Sequence, residues 1–453
     1  MWSLLLVLAA AVPPPAEQKL AREIFQELIQ IDTTEANGST TRAAEAIAKR
    51  LRAAGWGKDE IQVFGHSPKK GNLVARLRGT GKRKPIILLG HLDVVAARRD
   101  DWSMDPFKLT EKDGYYYGRG TEDMKSLVSL WVATLIRFKK DGYKPDRDLI
   151  LALTADEENG PENGVVWLLK NHRPLIEAAY ALNEGGGGEI KDGRHRANDV
   201  QASEKQYLSY KLEVRNKGGH SSLPERDNAI VRLADALGKV HRHEFPARLN
   251  PVTRAYFQRM AALETGAVAA DMKAIAAEDK ALDPAAVARL SAITFYNSRL
   301  RTTCVPTLIE GGHAENALPQ RATATVNCRA LPDEVPAELQ RALVTVINDP
   351  AVKIEPVKPP DGGPPSPLLP ELMTAIERVT GELWPGVVVL PVMQPGATDG
   401  RFLRAAGIPC YGVSGLFRDV TDIRAHGKDE RIPVKSFQES QEFVYRLLKL
   451  LTS

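Results

Sequence analysis

Cysteine is scarce in this chain. Its 453 residues include only three, Cys304, Cys328 and Cys410. None of them belongs to a Cys-x-x-Cys pair, which excludes a zinc site built from thiolates and argues against a fold held by a framework of disulfides. All three lie in strand-like stretches, and one bridge between Cys304 and Cys328 stays open as an alternative to free thiols.

A strong excess of one charge is also missing. Lys and Arg total 61 and Asp and Glu total 57, which gives a net charge of +4. The sequence has no basic stripe of the kind that nucleic-acid binding requires, so we expect no nucleic-acid partner. A hydrophobic fraction of 43% and a charged fraction of 26% are those of an ordinary globular protein.

The apolar run that opens the chain is too short to span a bilayer. It covers residues 1–12 and precedes three prolines, in the manner of a secretory signal, but it lacks the usual positive charges. We predict a leader at 1–18, export to the periplasm or the medium, and no stable membrane span in the mature protein. A buried or frayed apolar N-terminus, in a cytoplasmic protein, is the alternative.

The length of the chain predicts two domains, because a single hydrophobic core stops growing below this size. Strands and helices alternate up to about residue 205, which predicts a mainly parallel sheet with helices on both faces. From residue 206 the order becomes β-α-β-β-α-β, the pattern of a ferredoxin-like domain. We therefore predict a larger domain at 19–205 and 361–453, and an inserted domain at 206–360 with a helical elaboration at about 244–293.

Acidic and histidine residues follow several of the predicted strands. His91, the Asp156-Glu157-Glu158 triplet and Glu184 each come directly after a short apolar run. Strand ends are where an open α/β sheet places its ligand site. Each signal also has a simpler reading: a lone histidine is usually a satisfied structural residue, paired acids are usually solvated, and Gly185–Gly188 would ordinarily be a flexible turn.

Together these residues could supply two metal ions. Zinc takes histidine nitrogen and carboxylate oxygen, and two ions need one shared carboxylate and about two further protein ligands each. Asp93, two residues beyond His91, could accept a hydrogen bond from the second nitrogen of that imidazole. Glu157 is then left over as a base. The five candidate ligands are His91, Asp123, Glu158, Glu184 and His426.

Eight short segments occur in an informative order: Gly90-His-Leu-Asp-Val-Val, Gly118-Arg-Gly-Thr-Glu-Asp-Met-Lys, Asp156-Glu-Glu, Asn183-Glu-Gly-Gly, Gly218-Gly-His-Ser-Ser, Asn316-Ala-Leu-Pro, Gly396-Ala-Thr-Asp and Ala425-His-Gly. They resemble the signature blocks of the dizinc exopeptidase and amidohydrolase family that includes carboxypeptidase G, acetylornithine deacetylase, succinyl-diaminopimelate desuccinylase, aminoacylases and carnosinases. The resemblance runs from about residue 20 to the C-terminus. It implies an α/β zinc-exopeptidase catalytic domain with a mixed, mainly parallel sheet, and an inserted ferredoxin-like lid and dimerisation domain.

The resemblance also implies a role for each candidate ligand. His91 and Glu184 would hold one zinc, Glu158 and His426 the other, and Asp123 would bridge them, with cobalt or manganese as replacements. Asp93 would orient His91. Glu157 would act as the general base on the metal-bridging water or hydroxide.

Four residues outside this set resemble the substrate-binding residues of the family. His220 would reach across a homodimer to steady the oxyanion. Asn316 and Arg329 would grip the substrate, with the guanidinium suited to a carboxylate. Thr398 would bind the same end of the substrate. Without the resemblance, a surface salt bridge would be the preferred reading of Arg329.

We therefore predict a zinc-dependent hydrolase that cleaves an amide next to a free carboxylate in a small peptide or N-acyl amino acid. A carboxypeptidase or dipeptidase is the first reading, and an N-acyl-amino-acid deacylase of the aminoacylase type is the alternative. A catalytically silent peptide-binding module is disfavoured because Glu157 and every candidate ligand are present. His313 and the long 244–293 segment depart from the family pattern and leave the shape of the substrate pocket open.

Overall fold

The computed structural model describes residues 12–158, 160–278 and 281–453. Residues 1–11, which make up most of the predicted leader, lie outside the described residues. The chain forms two compact units. The first comprises the described residues up to Ala202 together with Ser366–Val392 and Thr398–Ser453, and the second comprises Ser203–Pro365 and Met393–Ala397.

The α-helices among the described residues are α1 Pro15–Gln30, α2 Thr40–Ala53, α3 Lys125–Lys140, α4 Gly164–Asn171, α5 Ala229–Arg242, α6 Pro251–Met260, α7 Gly266–Ala276, α8 Pro284–Ser291, α9 Thr294–Leu300, α10 Pro336–Ile347, α11 Pro370–Leu383, α12 Gly400–Ala405 and α13 Val434–Leu451. None of them has the combination of length and apolar character that crossing a bilayer needs.

The strands among the described residues are β1 Ile61–Ser67, β2 Lys70–Leu77, β3 Ile86–His91, β4 Thr110–Lys112, β5 Tyr115–Tyr117, β6 Leu149–Thr154, β7 Tyr180–Asn183, β8 Gly188–Lys191, β9 Arg194–Glu204, β10 Gln206–Arg215, β11 Gly219–His220, β12 Thr303–Gly311, β13 Ala317–Leu318, β14 Arg321–Ala330, β15 Val352–Pro356, β16 Val388–Gln394, β17 Cys410–Gly412, β18 Phe417–Asp419 and β19 Arg431–Pro433.

The first unit is built on a mixed sheet in the order β1-β2-β6-β3-β7-β17-β9-β8-β18. Its centre is parallel, since β3 pairs in parallel with both β6 and β7. Every residue of β3, β6 and β7 is buried, as expected for strands that are covered on both faces. The carboxyl ends of these three strands therefore meet at one edge of the sheet.

The second unit has an antiparallel sheet in the order β12-β14-β10-β15. Along β10, Leu208, Tyr210, Leu212 and Val214 are buried in one core with residues of α5 and α10. The connection β10-α5-β12-β14-α10-β15 confirms the predicted βαββαβ order. Helices α6, α7 and α8 occupy the segment predicted as a helical elaboration.

The structure decides the cysteine question that the sequence left open. Cys304 of β12 and Cys328 of β14 form a disulfide between directly paired strand positions. Cys410 is a buried thiol in β17. The bridge thus joins the edge strand of the second sheet to its neighbour.

Candidate dinuclear metal site

Three of the predicted ligands follow the central parallel strands of the first unit. His91 is the last residue of β3, Glu158 comes four residues after β6, and Glu184 directly follows β7. Asp156, between β6 and Glu158, has a φ of 60°, a left-handed conformation that an aspartate tolerates better than most residues. This turn directs the end of the β6 segment toward the edge of the sheet.

The other two ligands come from loops. Asp123 lies just before α3, and its peptide bond to Met124 is cis. His426 lies in the loop between β18 and β19 with a φ of 63°. These five side chains, far apart in the sequence, all reach one edge of the sheet.

The carboxylate of Asp123 divides its two oxygens between the two histidines. Its Oδ1 is 2.9 Å from His91 Nε2, and its Oδ2 is 3.0 Å from His426 Nε2. Glu184 Oε2 is 3.6 Å from the same nitrogen of His91, and Glu158 Oε2 is 2.9 Å from that of His426. The result is two groups of three ligands, each within a 4.8 Å span, that share Asp123.

The electrostatics of this cluster favour cations. Hydrogen bonds to Asp123 and Glu158 raise the pKa of His426 to about 10. Burial and the nearby charge of Asp123 raise the pKa of Glu184 to about 7. Burial opposes ionisation of Asp123 too, but hydrogen bonds from His426 and His91 lower its pKa well below the usual range. Two imidazoles and three carboxylates suit divalent ions such as zinc, so the residues present fit a dinuclear centre.

The comparisons with known proteins agree with this geometry. Residues 87–450 match the model of a family described as Peptidase family M20/M25/M40. The chain belongs to this peptidase family. The recognition made from the eight sequence blocks is thereby confirmed, and the chain is a hydrolase of the amide-bond type.

Individual relatives span most of the chain. It is 29% identical to the probable carboxypeptidase S-like 2 of Dictyostelium discoideum, over 81% of this chain and 71% of that protein. It is 26% identical to human aminoacylase-1 over 97% of both chains. The crystal structure of an M20 family metallo-carboxypeptidase from Sulfolobus solfataricus superposes with a TM-score of 0.70 at 18% identity, covering 95% of this chain and 99% of that one. The structural match confirms the predicted fold.

Asp93 is placed as predicted, but its carboxylate makes a different contact. Nδ1 of His91 lies 3.0 Å from the main-chain carbonyl of Asp93, whereas the nearer carboxylate oxygen is 3.8 Å away. The carboxylate instead accepts the main-chain N–H groups of Glu157 and Glu158, at 3.2 and 3.0 Å. The prediction that the carboxylate of Asp93 accepts a hydrogen bond from His91 is therefore wrong. In this M20 protein Asp93 orients the imidazole through its backbone and fixes the acidic loop through its side chain.

Glu157 lies beside the ligands without belonging to either group of three. Burial, followed by the nearby charge of Glu184, raises its pKa well above the usual range for a glutamate. A carboxyl group whose pKa is raised holds a proton more readily than an ordinary glutamate does. This behaviour suits the predicted base.

Sequence reasoning missed Glu430, which holds the Asp123 loop in place. Its fully buried carboxylate pairs with the guanidinium of Arg119 at 2.5 Å. It also accepts main-chain N–H bonds from Gly120, Glu122 and Asp123. Glu430 lies in the charged segment Lys428-Asp-Glu-Arg, where nothing local distinguishes it from a solvated residue.

Asp399 and Glu122 are two further acids that support the site. Asp399 is buried and accepts hydrogen bonds from Asn163 Nδ2 at 2.6 Å and Thr154 Oγ1 at 3.3 Å. Glu122 accepts the main-chain N–H of Arg424 at 2.9 Å and so connects the Asp123 loop to the His426 loop. Both residues belong to the quoted motifs, Gly118-Arg-Gly-Thr-Glu-Asp-Met-Lys and Gly396-Ala-Thr-Asp, but nothing local assigned either of them a role.

The predicted substrate residues divide between the two units. Thr398 lies in the first unit, just before α12, and its Oγ1 accepts the N–H of Gly400 at 3.2 Å. The second unit holds His220, Asn316 and Arg329. His220 pairs with Ala317 across the β11–β13 ribbon, and the main-chain carbonyl of Asn316 accepts the N–H of Ser221 at 3.0 Å. His220 and Asn316 are therefore neighbours.

The tautomer of His220 follows from its hydrogen bonds. Its Nδ1 accepts the main-chain N–H of Ser222 at 3.1 Å and lies 2.7 Å from the hydroxyl of the same serine. A nitrogen that accepts an N–H carries no proton, so the proton of the neutral ring is on Nε2. The exposed His220 thus presents Nε2–H as a hydrogen-bond donor.

Proposed function

We propose that this protein is a two-zinc peptidase that hydrolyses the amide bond next to a free carboxylate, in the manner of a carboxypeptidase or dipeptidase. The observation that carries the proposal is the division of Asp123 between two ligand groups, with Oδ1 facing His91 and Oδ2 facing His426. A carboxylate shared in this way is what two neighbouring divalent ions require.

When bound, two divalent ions would polarise the scissile carbonyl and make a water molecule acidic enough to attack at neutral pH. Glu157 takes the proton of that water and delivers it to the leaving nitrogen. The main-chain hydrogen bond from Glu157 to the carboxylate of Asp93 fixes the position of this base.

The second unit supplies the groups for the substrate. His220 offers Nε2–H to the developing oxyanion. Asn316 and Arg329 bind the substrate beside the scissile bond, with the guanidinium on its carboxylate. Thr398, from the first unit, binds the same end of the substrate as Arg329.

The test is a screen of the zinc-loaded protein against dipeptides and N-acyl amino acids, each offered as the free acid and as the C-terminal amide. Hydrolysis of free acids, loss of turnover with a chelator and recovery with zinc are the expected results. Equal rates on acids and amides would remove the carboxypeptidase reading. Full activity after removal of all metal would remove the metallopeptidase reading.

An N-acyl-amino-acid deacylase is the second candidate. The relative named aminoacylase-1 matches this chain over 97% of both lengths, which favours it. Both candidate functions use the same metal ligands, the same base and the same binding of the substrate carboxylate. They differ in the group on the acyl side of the scissile amide, which is an amino acid in a dipeptide and an acyl chain in an N-acyl amino acid. Faster cleavage of N-acyl amino acids than of any dipeptide in the screen would support the deacylase.

We also propose that the protein forms a homodimer through its second unit. Strand β12 is an edge strand whose residues from Val305 onward are all exposed, including Leu308 at 66% and Ile309 at 63%. Exposed apolar edges of this kind pair with another strand or aggregate. Light scattering of the wild-type protein and of a Leu308→Lys variant tests this proposal: a dimer that the variant dissociates supports it, and a wild-type monomer rejects it.

Export is proposed for a separate reason. Disulfides persist in oxidising compartments. The Cys304–Cys328 disulfide therefore favours a location outside the cytoplasm. Fractionation of the native host distinguishes an exported protein from a cytoplasmic one.

A further inference from the structure

The two loops that carry candidate metal ligands adjoin one short sheet of the first unit. Strand β5 ends at Tyr117, just before the loop that leads to Asp123, and strand β19 begins at Arg431, just after the loop that contains His426. Tyr117 and Arg431 are directly paired in the antiparallel β5–β19 ladder. This pairing brings the two ligand loops side by side.

Each loop contributes one charged side chain to a buried ion pair. Arg119 lies two residues after β5, Glu430 directly precedes β19, and 311 positions separate them in the sequence. Nη1 of Arg119 donates to Oε2 of Glu430 at 2.5 Å, and both side chains are at most 3% exposed. Arginine and glutamate are almost never buried to this extent unless they are paired. The register of β5 and β19 therefore places two opposite charges together inside the unit.

Arg119 also binds the main chain of the loop that carries His426. Its Nη2 donates to the carbonyl of Gly427 at 3.0 Å and to the carbonyl of His426 itself at 3.3 Å. The guanidinium lies over the ring of Trp102, 5.1 Å from its centre. His426 has a φ of 63°, which few residues adopt unless the surrounding structure holds them there. The two bonds from Arg119 supply such support.

Glu430 makes the reciprocal contacts. Its Oε1 accepts the N–H groups of Glu122 and Asp123, at 2.6 and 3.1 Å, and its Oε2 accepts that of Gly120 at 3.1 Å. Three N–H donors and a guanidinium satisfy a carboxylate whose burial would otherwise be costly. Each loop thus carries the side chain that holds the main chain of the other. We call Arg119 and Glu430 the loop clamp.

The two groups of candidate ligands depend unequally on the loop clamp. His91 ends β3 and Glu184 follows β7, and these strands are paired in parallel and entirely buried. The sheet itself therefore positions these two ligands. His426 is a loop residue whose side chain is 54% exposed, against 1% for that of His91. The loop clamp should matter most for the group that contains His426 and Glu158.

The ligand that both groups share has a second anchor. Asp123 lies two residues before α3, whose first residue, Lys125, is fully buried. Nζ of Lys125 donates to the carbonyls of Leu28 and Ile31, both at 2.9 Å. These bonds fix the start of α3 to the end of α1 without help from the loop clamp. Asp123 should therefore stay in place when the loop clamp is lost.

We propose that Arg119 and Glu430 are positioning residues for one of the two ions, the one that Glu158 and His426 hold, and that they set its affinity without touching it. The proposal rests on the two-ion centre of the proposed function. Loss of the loop clamp should weaken binding of one ion and spare the other. An ion pair with a merely structural role would affect both ions or neither.

Bound zinc per chain, measured by elemental analysis over a series of buffered free-zinc concentrations, tests this proposal without any turnover. The full-length wild-type protein should bind two ions. Glu430→Gln keeps the size of the side chain and removes its charge. One of its binding steps should move to about 10- to 100-fold higher free zinc, and the other should change by less than about twofold. His426→Ala identifies the affected step, because it removes a ligand of the same ion.

Asp429→Asn is the matched control. It makes the same change from acid to amide in the neighbouring residue, whose exposed carboxylate binds Ser103. We expect both binding steps to match those of the wild type.

The decisive comparison combines two variants. If Glu430 acts only through the loop of His426, the protein with both His426→Ala and Glu430→Gln should bind its remaining ion as tightly as His426→Ala alone. A further loss in the double variant would overturn the proposal. Equal weakening of both ions in Glu430→Gln, or unchanged binding of both, would overturn it as well.

Another variant covers the case in which Glu430→Gln fails to fold because the charge of Arg119 is left buried and unpaired. Arg119→Met together with Glu430→Gln removes both charges, and it should again weaken only the ion that His426→Ala affects. Two wild-type binding steps in this protein would reject the loop clamp alone. A wild-type protein that binds fewer than two ions would instead refute the two-ion centre, and the proposal with it.

Discussion

The two units concentrate charge of opposite sign. At the edge of the first sheet, five acids and two histidines lie together: Asp93, Asp123, Glu157, Glu158 and Glu184 with His91 and His426. On the second sheet, Lys205 donates to Thr303, a position that pairs with Arg329, and no acid among the described residues lies at ion-pair distance from either cation. Burial and the charge of Asp123 raise the pKa of Glu184 in the first cluster to about 7, whereas burial and the charge of Arg329 lower the pKa of Lys205 in the second to about 7.

This difference concerns how buried charge is balanced in each unit. Buried like charges cost free energy in an unliganded protein, so each cluster is stabilised by a ligand of opposite charge. Divalent metal ions suit the first cluster, and an anion would suit the second. The following predictions test the contrast from the largest expected effect to the smallest.

Asp123→Ala should have the largest effect. Because both ligand groups share this carboxylate, its loss removes a ligand from each ion, and we expect loss of bound metal and of all metal-dependent turnover. Elemental analysis of the purified protein and an activity assay provide the measurements. Asp59→Ala, a change at an exposed aspartate in the first unit, is the control. Full zinc content in Asp123→Ala would contradict the shared-ligand geometry.

Glu157→Gln should separate chemistry from metal binding. We expect zinc content near that of the wild type and a turnover rate lower by roughly two orders of magnitude or more, because the amide can no longer accept a proton. Steady-state kinetics on the zinc-loaded protein decide this. A variant that keeps most of its activity would show that another group acts as the base.

His220→Ala should lower the turnover rate by about a hundredfold and leave zinc content unchanged, because the histidine acts on the transition state. His313→Ala, at another exposed histidine of the second unit, should have little effect. If a second subunit provides His220, mixing the His220→Ala and Glu157→Gln proteins should restore part of the activity. A mixture no more active than its parents, under conditions that exchange subunits, would exclude a shared site.

Arg329→Ala should mainly raise KM for substrates that carry a free carboxylate, by about tenfold or more, since it removes a charge-assisted contact. Amidation of the substrate should have about the same effect in the wild type and almost none in the variant. If Arg329→Ala and amidation of the substrate raised KM independently of each other, the guanidinium and the carboxylate would not interact.

The metal affinity should increase with pH. In the metal-free protein, hydrogen bonds to Asp123 and Glu158 raise the pKa of His426 to about 10, so the imidazole is protonated at neutral pH and must lose its proton to bind an ion. Affinity should therefore rise as the pH increases from neutral toward the pKa of about 10, and zinc binding at neutral pH should release protons. Calorimetry in two buffers measures this release. Binding that is independent of pH would show that His426 is not a ligand.

The sequence predicted most of the elements that carry the site. The apolar runs before His91, before the Asp156 triplet and before Glu184 form β3, β6 and β7, and each buries every residue. Burial on both faces requires uninterrupted apolar runs, and such runs are visible in a sequence. The β-α-β-β-α-β order predicted for the second domain likewise includes the helix that is observed as α10, Pro336–Ile347.

The details that the sequence did not predict are contacts between distant segments. The main-chain contacts of Asp93, the support of the Asp123 loop by Glu430 and the contact of Lys205 with Thr303 all depend on how strands and loops pair in the tertiary structure. Local patterns report which residues are apolar and how they repeat, but not which buried polar groups face one another.

What the sequence determined by itself is the fold class, the family and the set of candidate ligands, because burial periodicity and short motifs are properties of neighbouring residues. The tertiary structure alone decided that the two oxygens of Asp123 face different histidines and that Cys304 is bonded to Cys328. It also buried Lys205 against Thr303, a position that pairs with Arg329, without an acidic partner for either cation within the described part of the chain. Electrostatic energies depend on distance in space and on burial, and both are fixed only when the whole chain has folded.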